Sequence, residues 1–520
     1  MNSTTFSLKQ VNKVSSDSNV IGFDLLSNLT YMSVLATGGI SRDRVLEHCS
    51  RQRYVTAVFF AYVYLLVKGM GMGYAQAFQL VADEAKASNV KSLFLRFAAS
   101  LSSGESEKDF IIAETNVESK RYANEYGRNV ENLRKWTDAY AAILVSVTLI
   151  MVVSLVSAMM GSLSENFIII MAFTLFFITS IGVYTIYKVA PVETKIYTAS
   201  MGTTKERRRA KTLILVGPPI GIGITTVLLI GLQLDLLAGF SVAFLLTGVS
   251  LLPGGYYIWK DDARVTRLDL ELPMFVRSLG AIAGSTKVTL TEALNRIDTK
   301  SMGSLGPHIE RLRTRLIPQL PVQECWEMFR RETGSELANR TTTMMVDAAQ
   351  LGSQPDEVGQ ICSDYAMSIT ELRAGRQLTA STFSFLTMAM HATMVFILVF
   401  VLEIVDTFNS MLAVVSSEVL NESAGGVEIP DNVQLPPGVS IPEGGNLAGG
   451  LDIFGSQDMT ITSYAIIMVI IVLTVANALA PKVTAGGSNL KIGLNIGIMC
   501  VISGIILGVV PMLTAKLFAV

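Results

Sequence analysis

The chain has 520 residues, 50% of them apolar and only 16% charged, and its 41 basic and 43 acidic side chains leave a formal net charge of −2. Ordinary soluble domains carry about a quarter charged residues, so the composition points to a membrane protein and away from a basic nucleic-acid-binding domain. Four scattered cysteines (Cys49, Cys325, Cys362, Cys500) without a CxxC pair, and three histidines (His48, His308, His391) without ligand spacing, suggest neither a disulfide framework nor a metal site.

Residues 1–138 read as helical, and nothing near the start combines a basic region, an apolar core and a small-residue cleavage site. Inside this block "YVTAVFFAYVYLLV" (Tyr54–Val67) closes with Lys68 and is shorter than the roughly 20 residues needed to cross the hydrocarbon core, so it is expected to be a buried or interfacial helix. Seven runs are long enough to cross: 139–160, 167–187, 212–232, 236–257, 384–405, 461–480 and 491–513. The expected fold is therefore all-α and polytopic. Four spans occupy 139–257 with a basic loop at 188–211, a second helical block covers 258–383, one span follows at 384–405, and two more lie in 461–520 after a segment at 406–460.

Charge sets the expected orientation. With the amino terminus inside, the outer segments hold one of the 41 basic residues, Lys516, and ten acidic ones, and such retention of Lys and Arg on the cytoplasmic side is the usual determinant of topology. The carboxy terminus is then extracellular. Loop 188–211 carries seven basic and two acidic residues, which hold that end cytoplasmic and contact anionic membrane lipids. The two cytoplasmic blocks are nearly balanced, 16 basic against 14 acidic in 1–138 and 15 against 16 in 258–383, which argues against nucleic acid as a partner. "GPPIGIG" (217–223) has no Gly-Lys-Ser/Thr after it and lies within a span. Its glycines and prolines suit a bent helix and a close neighbour better than a phosphate loop.

The two helical blocks repeat one another. "YAQAFQLVA" (Tyr74–Ala82) matches "LTEALNRID" (Leu290–Asp298), "ESEKDFIIAET" (Glu105–Thr115) matches "QECWEMFRRET" (Gln323–Thr333), and "VENLR" (Val130–Arg134) matches "ITELR" (Ile369–Arg373). The growing offset places an insert in the second copy that includes "AAQLGSQPDEVGQICSDY" (Ala348–Tyr365). There "LGSQPDEVGQI" reads as a helix end at Gly352, a turn, and a new helix opening on Pro355 with Asp356 and Glu357 in its first turn. In "GPHIERLRTRLIPQL", Ile309, Leu312 and Leu316 share one helical face, and Arg311 and Arg315 lie four apart on another. His391 falls inside a span, where satisfaction by a neighbouring helix is the expected arrangement. The segment 406–460 is acidic and rich in Gly and Pro, is expected to be irregular or short-stranded, and contains an outward-facing Asn421-Glu-Ser glycosylation sequon.

No serine has a partnered histidine, and no nucleotide or metal motif is present, so the reading is of a scaffold rather than an enzyme, with no catalytic residues, no cofactor and no metal. The order of "LPMFVRSLGAIAGSTKVTLTEAL" (Leu272–Leu294), "LGPHIERL" (Leu305–Leu312), "VQECWEMFRRET" and "DAAQLGSQPDEVGQI" (Asp347–Ile361) resembles the type II secretion system F family, the membrane platform proteins of type II secretion and type IV pilus machines. The unequal copies and extra spans look like its archaeal branch, the FlaJ/ArlJ platform of the archaellum and its adhesion-pilus relatives. That resemblance implies a protein beneath a growing filament that binds a hexameric secretion ATPase in the cytoplasm and passes its motion to pilin- or archaellin-like subunits. Candidate ATPase contacts are Lys205, Arg207, Arg208 and Arg209 of the basic loop and the row Arg311, Arg313 and Arg315. Pairing into a homodimer stays open, and the alternative function is a membrane transporter or channel.

Overall fold

The computed structural model describes residues 18–159, 165–197, 204–232, 236–318, 320–424 and 460–518. Its helices in chain order are α1 (Ser18–Ala36), α2 (Arg42–Ser50), α3 (Ala57–Met70), α4 (Tyr74–Glu84), α5 (Ser88–Ser103), α6 (Glu107–Met159), α7 (Glu165–Val189) and α8 (Lys205–Leu232). They continue with α9 (Leu236–Thr286), α10 (Leu290–Arg296), α11 (Gly306–Leu316), α12 (Val322–Thr333), α13 (Glu336–Gln350), α14 (Pro355–Ala424), α15 (Thr460–Ala485) and α16 (Ile492–Phe518). Among the described residues no strand forms, and the single β contact is an isolated bridge between Ile196 and Ser335.

Among the described residues seven helices are long and apolar enough to cross a membrane, one at each of the seven runs expected from sequence: α6, α7, α8, α9, α14, α15 and the stretch Asn489–Leu517 that includes most of α16. The molecule is an all-α, multi-pass membrane protein. Short apolar α1 and α3 are not among the spans but belong to the helical body outside them. Phe59, Phe60 and Val63 of α3 are fully buried there, with the Phe59 and Phe60 rings edge-on to that of Phe94. Local chemistry sets the breaks between the body's helices: Gly71, Gly104 and Gly334 follow α3, α5 and α12 with φ of 68°, 75° and 65°, a left-handed conformation glycine adopts without strain. Ser335 and Thr289 cap the next helices by accepting from the amides of Ala338 and Glu292.

The two repeats do not stand apart as separate domains. A single apolar core runs through both, from Ile21 to Tyr126 and from Leu268 to Ile369. Its centre is α1, whose residues 21–36 are all buried. The segment that tandem comparison reads as an insert in the second copy has its counterpart at the start of the chain. Residues 36–50, "ATGGISRDRVLEHCS", align without a gap on 349–363, "AQLGSQPDEVGQICS". Gly39 and Gly352 both take positive φ, 61° and 89°, a helix begins three residues after each at Arg42 and Pro355, and the paired Val45 and Val358 and Cys49 and Cys362 are all buried. α1 and α13 then run side by side in the same direction, as the contacts Arg340 to Asp24, Tyr31 to Asp347 and Gly38 to Ser353 show. The first copy therefore carries this helix ahead of its bundle, the second copy carries it near the end, and the two meet in the middle of one body.

Three helices leave the body and continue unbroken into the spans: α6 with 53 residues, α9 with 51 and α14 with 70. At the helix–helix contacts glycine allows close approach. A Cβ on Gly255 of α9 would lie 2.6 Å from the Cα of Leu494, and one on Gly217 of α8 would lie 2.7 Å from the carbonyl oxygen of Ser250, the close neighbour expected for "GPPIGIG". His391 sits fully buried between α15 and α16, with Nε2 2.9 Å from Ser503 Oγ and Nδ1 3.3 Å from Asn477 Nδ2. Tyr140 of α6 donates to Asn477 Oδ1 at 3.2 Å, extending the chain of polar groups to a third neighbour.

The structure departs from the sequence reading at the far side of the spans. α14 runs on through Ala424, so the start of the 406–460 segment is helical rather than irregular, and residues 425–459 lie outside the described residues.

Candidate functional site

The described start of the basic loop after the second span does not hang free. Residues 190–197 lie against the body: the amide of Tyr197 donates to Gly334 O at 3.0 Å and the amide of Glu336 to Lys195 O at 3.0 Å. Lys195 Nζ reaches Asp262 at 2.9 Å and Thr266 at 2.8 Å on α9, and Glu193 and Asp269 both pair with Arg373 of α14, at 3.3 and 2.8 Å. Residues of the loop and of two body helices thus form one ionic layer where the body joins the spans.

Of the first group of candidate contacts, Arg207 is 5% exposed. Its Nε donates to Asp261 Oδ2 of α9 at 2.5 Å and its Nη2 to Gly334 O at 3.2 Å, so it ties α8 to α9 and to the end of α12. A guanidinium so placed is a structural tie rather than a surface contact. Arg208 and Arg209, on the outer side of the same turn, are exposed. The side chain of Lys205 lies outside the described residues, as does that of Asn421, the sequon asparagine.

The second group faces outward on α11, opposite buried Ile309, Leu312 and Leu316. Arg311 is half exposed and reaches Glu332 at 3.3 Å, Arg315 shares that carboxylate, and Arg313 pairs with Glu310 at 2.5 Å. Beneath them burial and the neighbouring Arg311 push the His308 imidazole down to about 4, which leaves it neutral at pH 7 and able to accept from Arg311 through Nδ1. The two candidate groups converge on one place: Glu332, in the last turn of α12, takes Arg311 and Arg315, and Gly334 just past that turn takes Arg207. Among the described residues no group of three or more His, Cys, Asp or Glu is placed to hold a metal ion, and the four cysteines are free and buried.

Two arginines that sequence reasoning did not single out organise the interior. Arg340 of α13 is buried between the rings of Phe23 and Tyr54, 4.2 and 4.7 Å from their centroids, and pairs with Asp24 at 2.7 Å and Glu336 at 3.0 Å. Burial opposes its charge, but Asp24 and its other neighbours outweigh that and hold the guanidinium firmly protonated. Arg376 of α14 is also buried and donates to carbonyls at the ends of two spans. An arginine inside an otherwise periodic helix was the one available signal in each case.

These features define a class: a seven-span helical membrane protein whose duplicated body is welded to the spans by three continuous helices. No family model matches the chain, and no solved structure matches it. It is similar to "Flagella accessory protein J" of Methanococcus voltae, 24% identical over 335 residues, a match covering 62% of this chain and 59% of that protein. It is likewise similar to the protein of the same name from Methanocaldococcus jannaschii (strain ATCC 43067 / DSM 2661 / JAL-1 / JCM 10045 / NBRC 100440), 23% identical over 371 residues, covering 69% of this chain and 66% of that one. The matched region thus spans less than two thirds of each relative's length.

Proposed function

We propose that this chain is a membrane platform for assembly of an archaellum or related type IV pilus-like filament, with its helical body in the cytoplasm, its carboxy terminus outside, and no enzymatic activity of its own. Its similarity to two proteins named flagella accessory protein J supports a role in such an apparatus. The observation that carries the mechanical part is the continuity of α6, α9 and α14, which run from the body into the spans without a break. A force applied to the body reaches the membrane through hydrogen-bonded helix rather than through flexible linkers. In this reading a hexameric secretion ATPase docks on the body and pilin- or archaellin-like subunits are handled at the spans.

The ATPase-facing patch is centred on the end of α12, where exposed Arg208 and Arg209 on one side and Arg311 with Arg313 on the other surround a surface of mixed charge. Arg207 and Arg315 hold that surface in shape. Charge reversal of Arg208 and Arg209 together with Arg311 is expected to abolish co-purification of the chain with the secretion ATPase while the protein remains folded and inserted. Unchanged co-purification would remove this patch from the interface.

A transporter or channel is the second reading, and it rests on the buried polar chain Tyr140, Asn477, His391 and Ser503. Those groups satisfy one another and link neighbouring helices, which is the packing role of polar groups within membranes. Solute flux through proteoliposomes holding this chain alone would favour the transporter.

A further inference from the structure

Arg376 stands where the body meets the spans and is 5% exposed. Its Nε donates to Thr484 O at 2.9 Å and its Nη2 to Val483 O at 3.1 Å, both in the last turn of α15, while its Nη1 donates to Pro191 O at 2.7 Å, just past the end of α7. The Val483 and Thr484 carbonyls are ones that a helix end leaves without an internal partner, Tyr126 is a further hydrogen-bond partner, and a guanidinium has five N–H groups. Both helices are spans, so the guanidinium lies at the depth where hydrocarbon gives way to headgroups, a layer about 5–7 Å thick on each side.

Among the described residues no carboxylate lies within ion-pair distance of Arg376. Of its charged neighbours, Arg373 pairs with Glu193 and Asp269, Lys195 and Lys491 share Asp262, and Lys482 donates to Asn489. The layer therefore holds more cations than carboxylates, and a buried cation is strongly unfavourable without a counter-ion. Arg376 forms part of the wall of a cavity of about 380 Å³, which Arg373, Lys195 and Ser381 also line, together with the carboxylates Glu193 and Asp269 that Arg373 pairs with. At its rim Leu270 and Leu378 are 59% and 71% exposed. The cavity thus joins a wall of three cations and two carboxylates at headgroup depth to an apolar lip.

We propose that this cavity binds a phosphate-bearing anion presented by a membrane lipid, with the phosphate beside Arg376 and the acyl chains leaving past Leu270 and Leu378. The bound headgroup offsets positive charge in the layer that fastens α14 to the ends of α7 and α15, so the lipid becomes part of the joint between body and membrane. This inference stands apart from the platform reading, since it needs neither an ATPase nor a filament.

The test uses the full chain purified in mild detergent and native mass spectrometry with phosphatidylglycerol, phosphatidylcholine or inorganic phosphate as probe. The expected result is one retained phosphatidylglycerol, held in preference to phosphatidylcholine and not displaced by inorganic phosphate. Arg376→Gln should weaken retention about fivefold, the effect of one basic residue near an anionic lipid. Leu378→Glu, at an exposed position that leaves the fold intact, should do the same by placing a carboxylate at the mouth. Equal retention of the two lipids, or undiminished phosphatidylglycerol binding by folded Leu378→Glu protein, would overturn the proposal. Displacement by inorganic phosphate alone would assign the cavity to a soluble anion and overturn the lipid assignment.

Discussion

At the scale of single residues, the body is organised by a charge that has no exit to water. Arg340 is held by Asp24 and Glu336, stacks between two aromatic rings and donates to Ser27 at 2.7 Å, so it ties α13 to α1 across the two copies. Removing one member of a buried ionic group leaves the others uncompensated, which typically costs about 3–5 kcal/mol. Arg340→Met is expected to lose that much in thermal or denaturant unfolding, and adding Asp24→Asn should recover part of it because the orphaned carboxylate is gone. A loss well under about 1 kcal/mol for the single variant would show that the group is solvated in solution. Arg207 makes a related point: its partner Asp261 lies 54 positions away, so from sequence it reads as one more cation of an exposed loop. The exposed face of α11 was legible for the opposite reason, since the spacing of Ile309, Leu312 and Leu316 alone turns Arg311 outward.

At the scale of elements, the crossing of α9 and α14 sets how the body is mounted. A Cβ on Gly280 would collide with the carbonyl oxygen of Pro355 and lie 2.7 Å from the Cα of Gly359, both backbone atoms that move only if the helices part. Gly280→Ala is therefore expected to destabilise the protein by about 1–3 kcal/mol, the usual range for overpacking. Gly375, further along α14, has nothing within 4 Å of an added Cβ, and Gly375→Ala should stabilise by about 0.4–1 kcal/mol through the unfolded chain. Unfolding midpoints of the two variants in one detergent check both signs, and a stabilised Gly280→Ala would contradict the crossing. The joint ahead of α14 could be read directly, because Gly352 and Pro355 encode a helix stop and start in the backbone itself. The partner of that joint, Gly39 before α2, escaped tandem comparison because it precedes its bundle instead of closing it.

At the scale of the whole molecule, one shared core places both copies on the same side of the spans. Cysteines introduced at Ser102 and Lys300, one exposed position in each copy, should respond alike to a membrane-impermeant thiol reagent, and the four native cysteines are buried and contribute little background. Under the proposed orientation both are protected in intact cells and labelled after permeabilisation. Labelling of one but not the other in intact cells would separate the copies across the membrane and contradict the shared core. The same core means that a fragment ending at 138 should not fold by itself, because α1 would lose α13 and α14 and expose its apolar surface.

The amino-acid order alone determined the seven crossings, the helical class and the existence of a duplication, since each depends on runs or spacings within a few turns of chain. Apolar length decides a crossing whatever surrounds it. The tertiary structure decided which charges face water, which helix forms the centre of the body and that two repeats make one core, because those are set by partners tens to hundreds of residues apart. α1 shows the difference most plainly: it carries Asp24, Ser27 and Asn28, polar side chains that could face water, and only the helices closing around it determine that residues 21–36 are buried on every side.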